Sequence, residues 1–291
     1  MRKASGIGIF WKSIPGKKGG KCYAIKKVVN AELNTARREI AVLQRVNHPN
    51  IIKYHGHYIE RGVFCLVLEY ADEGTLKDSL RHPWFEPDVW KFIGHMSGAL
   101  NYLHSMRPQV LHRDLKPDNI LGVKEDLQVE PAWHRRHIFW KLTDFGVAKM
   151  LTREAQEAYY GADNPGVATY MAPEVLEHFE NYTAATDMWS LGCLIAFVMR
   201  KGEHVFNSNE DVLYYETGMG DMIFSDKEIS MQYSTQLQGV VYSLLQVLSF
   251  EAKLSCFYLF SVSKVNPKRR PSAEEVFDMC TTERCSSVGD Y

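Results

Sequence analysis

Over the first 70 residues, apolar and polar positions change places in short runs, with one helical stretch between them. "GKCYAIKKVV" (20–29) mixes branched and aromatic residues after a Gly-Lys-rich turn, which predicts a strand leaving a hairpin. "TARREIAVLQRV" (35–46) sets Glu39, Leu43 and Val46 at i, i+4 and i+7, one face of a helix. "YHGHYIERGVFCLVLEY" (54–70) predicts two strands joined at "ERG". After "ADEGTL" (71–76), whose Asp and Gly mark a linker, the period becomes mostly helical, as in "DVWKFIGHMSGALNYLHSM" (88–106). Ser272 with Glu275 forms a capping box that opens a last helix through about Cys280. The pattern predicts an α+β chain: a small β-rich lobe over 1–71 with one helix, a larger α-rich lobe over 72–280, and a flexible tail over 281–291.

"VLHRDLKPDNIL" (110–121) interrupts this pattern. Apolar pairs at its two ends read as buried, whereas its middle is too polar to be buried without partners, since an unpaired buried charge costs several kcal/mol or more. The charges are either paired in a structural network or held for chemistry.

Composition narrows the field. With 34 basic against 35 acidic residues and a net charge of -1, there is no global field for gripping nucleic acid, and any anion site must be local. The six cysteines include no CxxC pair, so neither a zinc cluster nor a disulfide framework is expected, and reduced thiols of a cytoplasmic or nuclear protein are the plain reading. The best apolar run, "LSCFYLFSV" (254–262), is far short of the roughly 20 residues a spanning helix needs, so no membrane span is expected. Nothing in the sequence speaks to oligomeric state.

The 110–121 stretch resembles the catalytic loop of protein kinases, and further segments follow the order of that family: "AIKK" (24–27), "RREIAVL" (37–43), "KLTDFGVAK" (141–149), "TYMAPEVL" (169–176), "TDMWSLG" (186–192) and "KRRPSA" (268–273). The likeness covers nearly the whole chain. It implies a bilobal protein kinase fold that uses ATP and Mg2+ and acts on a protein substrate. "LKPDN" favours a serine or threonine hydroxyl, and "MAPE", "DMWSLG" and Arg270 set the chain apart from small-molecule phosphotransferases.

The resemblance assigns roles. Asp114 would take or orient the substrate hydroxyl proton, Lys116 would place positive charge beside the γ-phosphate, and Asn119 and Asp144 would supply hard oxygens to Mg2+. Lys26 and Glu39 would pair to present an ammonium to the α and β phosphates. Leu68 falls at the gatekeeper and Glu69, Tyr70 and Ala71 at the hinge; backbone groups of Glu69 and Ala71 would bond adenine, and Ala24 and Leu121 would sandwich its ring. Glu174 would pair with Arg270, and Asp187 would accept backbone hydrogen bonds from the catalytic loop.

Four features depart from the family pattern. The glycine-rich loop, drawn from Gly6 and Gly8, is truncated, and the register that puts Phe10 on the phosphate roof reads better than its alternative. Val167 stands where a hydroxyl is usual, which with the glycine loop makes a pseudokinase scaffold the alternative to an active kinase. Asp163 is placed to offer Arg113 a standing carboxylate, although "ADNPG" also reads as a plain turn. Residues 249–264 have no clean period and read as translated intron rather than as a docking insert.

Overall fold

The computed structural model describes residues 9–12, 22–28, 33–81, 84–124, 138–150, 168–178, 181–216, 227–245 and 267–286. Gly6, Gly8, Asp163, Val167 and 249–264 lie outside the described residues. Two compact units emerge from internal contacts: Met1–Ser79 with Asp118–Ala148, and Leu80–Pro117 with Lys149–Tyr291.

The first unit is built on an antiparallel sheet in the order β1-β2-β4-β3, with β1 Ile9–Lys12, β2 Tyr23–Val28, β3 Tyr54–Glu60 and β4 Val63–Glu69. Phe10 stands opposite Ile25, and Lys26 opposite Leu66. Branched residues on β2 and β4 form its core, with Ile25, Val28, Cys65 and Leu66 buried. The β3–β4 turn is tight because Arg61 and Gly62 both take positive φ, 51° and 77°.

Helix α1 runs from Leu33 to Leu43 and buries Ala36, Glu39, Val42 and Leu43. Val46, expected on the same face, falls beyond the helix, which closes with a turn from Arg45 N–H to Val42 O at 2.9 Å; Pro49 follows, and the residue before a proline disfavours helical backbone. A second sheet, β5 Gly74–Thr75, β7 Ile120–Lys124 and β8 Ile138–Leu142, completes this unit, with α2 Leu76–Ser79 after β5.

The second unit is helical. It contains α3 Glu86–Ser105, α4 Pro173–Glu177, α5 Ala184–Met199, α6 Asn209–Glu216, α7 Lys227–Gln232, α8 Thr235–Leu244 and α9 Ala273–Ser286, with a two-stranded piece, β6 Val110–Leu111 against β9 Lys149–Met150. Helix α5 is apolar around its whole girth and buried along most of its length, as a central core helix must be. Helix α9 opens on the Ser272–Glu275 box: Ser272 N–H donates to Glu275 Oε2 at 2.7 Å, and Glu275 N–H to Ser272 Oγ at 3.2 Å. That helix continues to Ser286 rather than stopping near Cys280, so 281–286 are helix and not the start of a tail. Among the described residues no helix is long and apolar enough to cross a membrane.

Candidate active site

The middle of the 110–121 stretch is buried, contrary to its polar appearance. His112 is fully buried, and Arg113, Asp114 and Asn119 are 6%, 9% and 4% exposed. Partners make this affordable. Asp187, in the first turn of α5, accepts from the backbone N–H groups of His112 and Arg113 at 3.0 Å and 2.9 Å, and its Oδ2 lies 2.9 Å from His104 Nε2. Burial works to raise the Asp187 pKa, but the hydrogen bond and charge of His104, together with His112 and the Arg113 amide, hold it below the usual carboxylate value. Arg113 takes a left-handed φ of 69°, uncommon for a residue with a Cβ, and its guanidinium lies 4.9 Å over the Tyr182 ring. The Lys116 ammonium reaches Asp114 Oδ2 at 2.6 Å.

In the first unit, three charged side chains meet. Lys26 on β2 donates to Glu39 of α1 at 2.8 Å and to Asp144 at 3.1 Å. Burial works to lower the Lys26 pKa, but the two carboxylates more than offset it, so the ammonium stays charged well above neutral pH. Burial pushes Glu39 upward while Lys26 pulls it back. Asp144 has a left-handed φ of 62°, and Gly146 N–H donates to its Oδ1 at 3.4 Å.

Asn119 and Asp144 sit at adjoining ends of one hairpin. Strands β7 and β8 pair Ile120 with Leu142, and Thr143 N–H donates to Asn119 O at 3.0 Å. Their donor set, one carboxylate and one carboxamide, is all hard oxygen. It fits Mg2+, which is bound through one or two carboxylates and leaves other positions to phosphate and water. Among the described residues no group of three or more His, Cys, Asp and Glu side chains is assembled for a metal.

Leu68, at the end of β4, pairs with Ala24, and Ala24, Leu68, Ala71 and Leu121 are all nearly buried. Glu69 N–H is committed to Lys53 O at 2.8 Å. Gly6 and Gly8 lie outside the described residues.

Several positions had no sequence signal of their own. His104 reads only as a polar residue near the end of α3, yet it buttresses Asp187. Lys141 reads as one lysine beside the "TDFG" run, yet it pairs with Glu69 at 3.0 Å. Thr35 reads as the start of an amphipathic helix, yet it abuts Gly146. All three act through partners far away in sequence, which periodicity does not register.

Comparison with known proteins agrees with this arrangement. The protein kinase domain family matches residues 7–280. The chain is 32% identical to the serine/threonine-protein kinase RAD53 of Saccharomyces cerevisiae, over 78% of this chain and 28% of the yeast protein. It is 31% identical to a probable myosin light chain kinase of Dictyostelium discoideum, over 77% of this chain and 44% of that one. It is 35% identical to the serine/threonine-protein kinase nekl-2 of Caenorhabditis elegans, over 56% of this chain and 44% of that one. The chain thus spans less than half the length of each of these relatives. With the family matched across both units, the chain belongs to the protein kinase family.

Proposed function

We propose that this chain is a protein serine/threonine kinase domain that transfers the γ-phosphate of ATP, with Mg2+, to a hydroxyl of a protein substrate. The observation that carries the reading is the meeting of Lys26 with Glu39 and Asp144 at 2.8 Å and 3.1 Å, because an ammonium fixed by two carboxylates is a phosphate-binding group already aimed. Bound Mg2+ would be held by Asp144 and Asn119 and would neutralise charge on the phosphate oxygens.

The chain's own residues account for the rest. Glu69 has its N–H engaged, so it offers its carbonyl to the adenine amino group, and Ala71 offers its backbone beside it. Ala24 and Leu121 supply apolar faces for the ring. Asp114 accepts the proton of the attacking hydroxyl. A bond then forms from that oxygen to the γ-phosphorus while the bond to the β–γ bridging oxygen breaks, and ADP leaves. Lys116, 2.6 Å from Asp114, keeps positive charge beside the transferred group. The buried Asp187 holds the loop backbone so that neither side chain needs to reorganise.

The test combines a thermal shift with ATP-Mg2+ and phosphate transfer to a generic basic protein, for wild type and Asp114→Asn. The reading expects a shift in both proteins and transfer only in wild type. A shift with no transfer by wild type would make the chain a nucleotide-binding scaffold, and neither shift nor transfer would remove the nucleotide reading altogether.

A further inference from the structure

A sheltered charged pair that the proposed chemistry leaves unused, Lys141 with Glu69, lies entirely within the first unit. Lys141 is the penultimate residue of β8 and stands three residues before Asp144. Its ammonium is 3.0 Å from Glu69 Oε1, with the two side chains only 13% and 25% exposed. The second carboxylate oxygen accepts from Lys53 N–H at 3.1 Å. Glu69 closes β4 and carries the carbonyl assigned to adenine.

A connecting segment already ties these strands together through the backbone. Leu142 N–H donates to Asn50 O at 2.8 Å, Ile52 N–H to Leu142 O at 2.9 Å, and Asn50 Nδ2 to Trp140 O at 2.9 Å. Trp140 and Leu142 are buried on one face of β8, and Lys141 projects from the other. The fold of β8 therefore does not depend on the lysine. What the ion pair adds is a fixed distance from the end of β4 to the strand leading into Asp144. A sheltered pair whose carboxylate is also bonded to a backbone amide is stiffer than a solvated surface pair.

We propose that Lys141 is a positioning residue for the nucleotide: its ion pair with Glu69 sets the backbone facing adenine at the spacing from Asp144 that lets one ATP molecule meet both ends together. The proposal rests on the kinase reading. It concerns joint binding, so its signature is weaker binding of the whole nucleotide while the fragment that touches one end is spared.

The experiment measures ATP-Mg2+ and adenosine affinity by calorimetry, with KM, kcat and melting temperature, for wild type, Lys141→Met, Lys141→Arg, Glu69→Gln and the Lys141→Met/Glu69→Gln double variant. Lys141→Met is expected to weaken ATP binding and raise its KM about tenfold, while adenosine affinity and kcat change less than about threefold. Arginine at 141, which restores a cation, recovers most of the ATP affinity, and the double variant is no worse than Lys141→Met because both changes remove one interaction. Equal weakening of ATP and adenosine, additive losses in the double variant, or a fall in kcat and melting temperature at unchanged ATP affinity would each overturn the proposal. Wild type that binds no ATP overturns the kinase reading beneath it, whereas wild type that binds ATP as tightly as Lys141→Met overturns the positioning role alone.

Discussion

Arg270 holds both carboxylate oxygens of Glu174, Nη1 on Oε1 at 2.6 Å and Nη2 on Oε2 at 3.0 Å, while its guanidinium lies 4.8 Å over the Trp189 ring. A third bond runs from Nη1 to Ala185 O at 3.2 Å, so one buried side chain joins the start of α4 to the start of α5. Arg270→Ala strands a sheltered carboxylate and removes the stack, and is expected to destabilise the protein by about 3 kcal/mol or more. Arg270→Lys recovers less than half of that, because an ammonium makes neither the fork nor the planar stack. Urea midpoints of the two variants decide it: a lysine variant as stable as wild type would show that only the charge matters.

Asp187 gives the protein an acid-sensitive element. Its folded-state pKa lies below the unfolded value of about 3.9, so its stabilisation is fully present above that value and is lost as pH falls through the lower, folded one. Asp187→Asn removes the charge and keeps the shape. The stability gap between wild type and this variant is therefore expected to be widest near neutral pH and to narrow below about pH 4. Denaturation midpoints between neutral and strongly acid pH would show it; a gap constant with pH would mean that the carboxylate charge contributes nothing.

Much of this was legible because the residues concerned lie in short segments whose order along the chain is itself informative. The strand of Lys26, the helix of Glu39 and the Ser272 box follow from local patterning, and the Glu174–Arg270 pair from two motifs nearly a hundred residues apart. What sequence left open was depth. Whether the charges around Arg113 and Asp114 sit in a paired network is answered only once Asp187 and its partner His104 are in place, because burial is a property of the assembled helices rather than of the loop. The two ends of helices were misplaced for a simpler reason. Val46 fits the helical period but meets the Pro49 turn, whereas 281–286 lack an apolar stripe yet follow a well-capped helix that has no breaker to stop it.

The Lys26 ion pairs predict a separation of activity from folding. Lys26→Met removes the ammonium that both Glu39 and Asp144 use, and kcat/KM for phosphate transfer is expected to fall about 10²- to 10³-fold. Glu39 is buried and would then lie beside Asp144 without its counter-ion, so it takes up a proton more readily. The variant is accordingly expected to be more stable relative to wild type at pH 5 than at pH 8, the same direction as the Asp187→Asn trend but setting in at higher pH because burial raises the Glu39 pKa. Thermal unfolding at the two pH values, run beside the transfer assay, tests both halves; undiminished transfer would separate Lys26 from the chemistry.

Gly146 is the tightest spot around Asp144. A methyl group on its α-carbon would stand 2.5 Å from Thr35 Cγ2 and 3.3 Å from Asp144 Oδ1, so either α1 or the Asp144 loop must move. Since α1 carries Glu39, both responses disturb the three-way meeting with Lys26. Gly146→Ala is expected to lower kcat/KM by about tenfold or more and to cost about 1–3 kcal/mol of stability, the usual penalty for overpacking. The contact names its own remedy. Thr35→Ser deletes the clashing methyl and keeps the hydroxyl, so Gly146→Ala/Thr35→Ser is expected to regain most of both losses, while Thr35→Ser alone has little effect. If the serine does not rescue the alanine variant, the requirement for glycine lies in backbone freedom at 146 and not in its packing against α1.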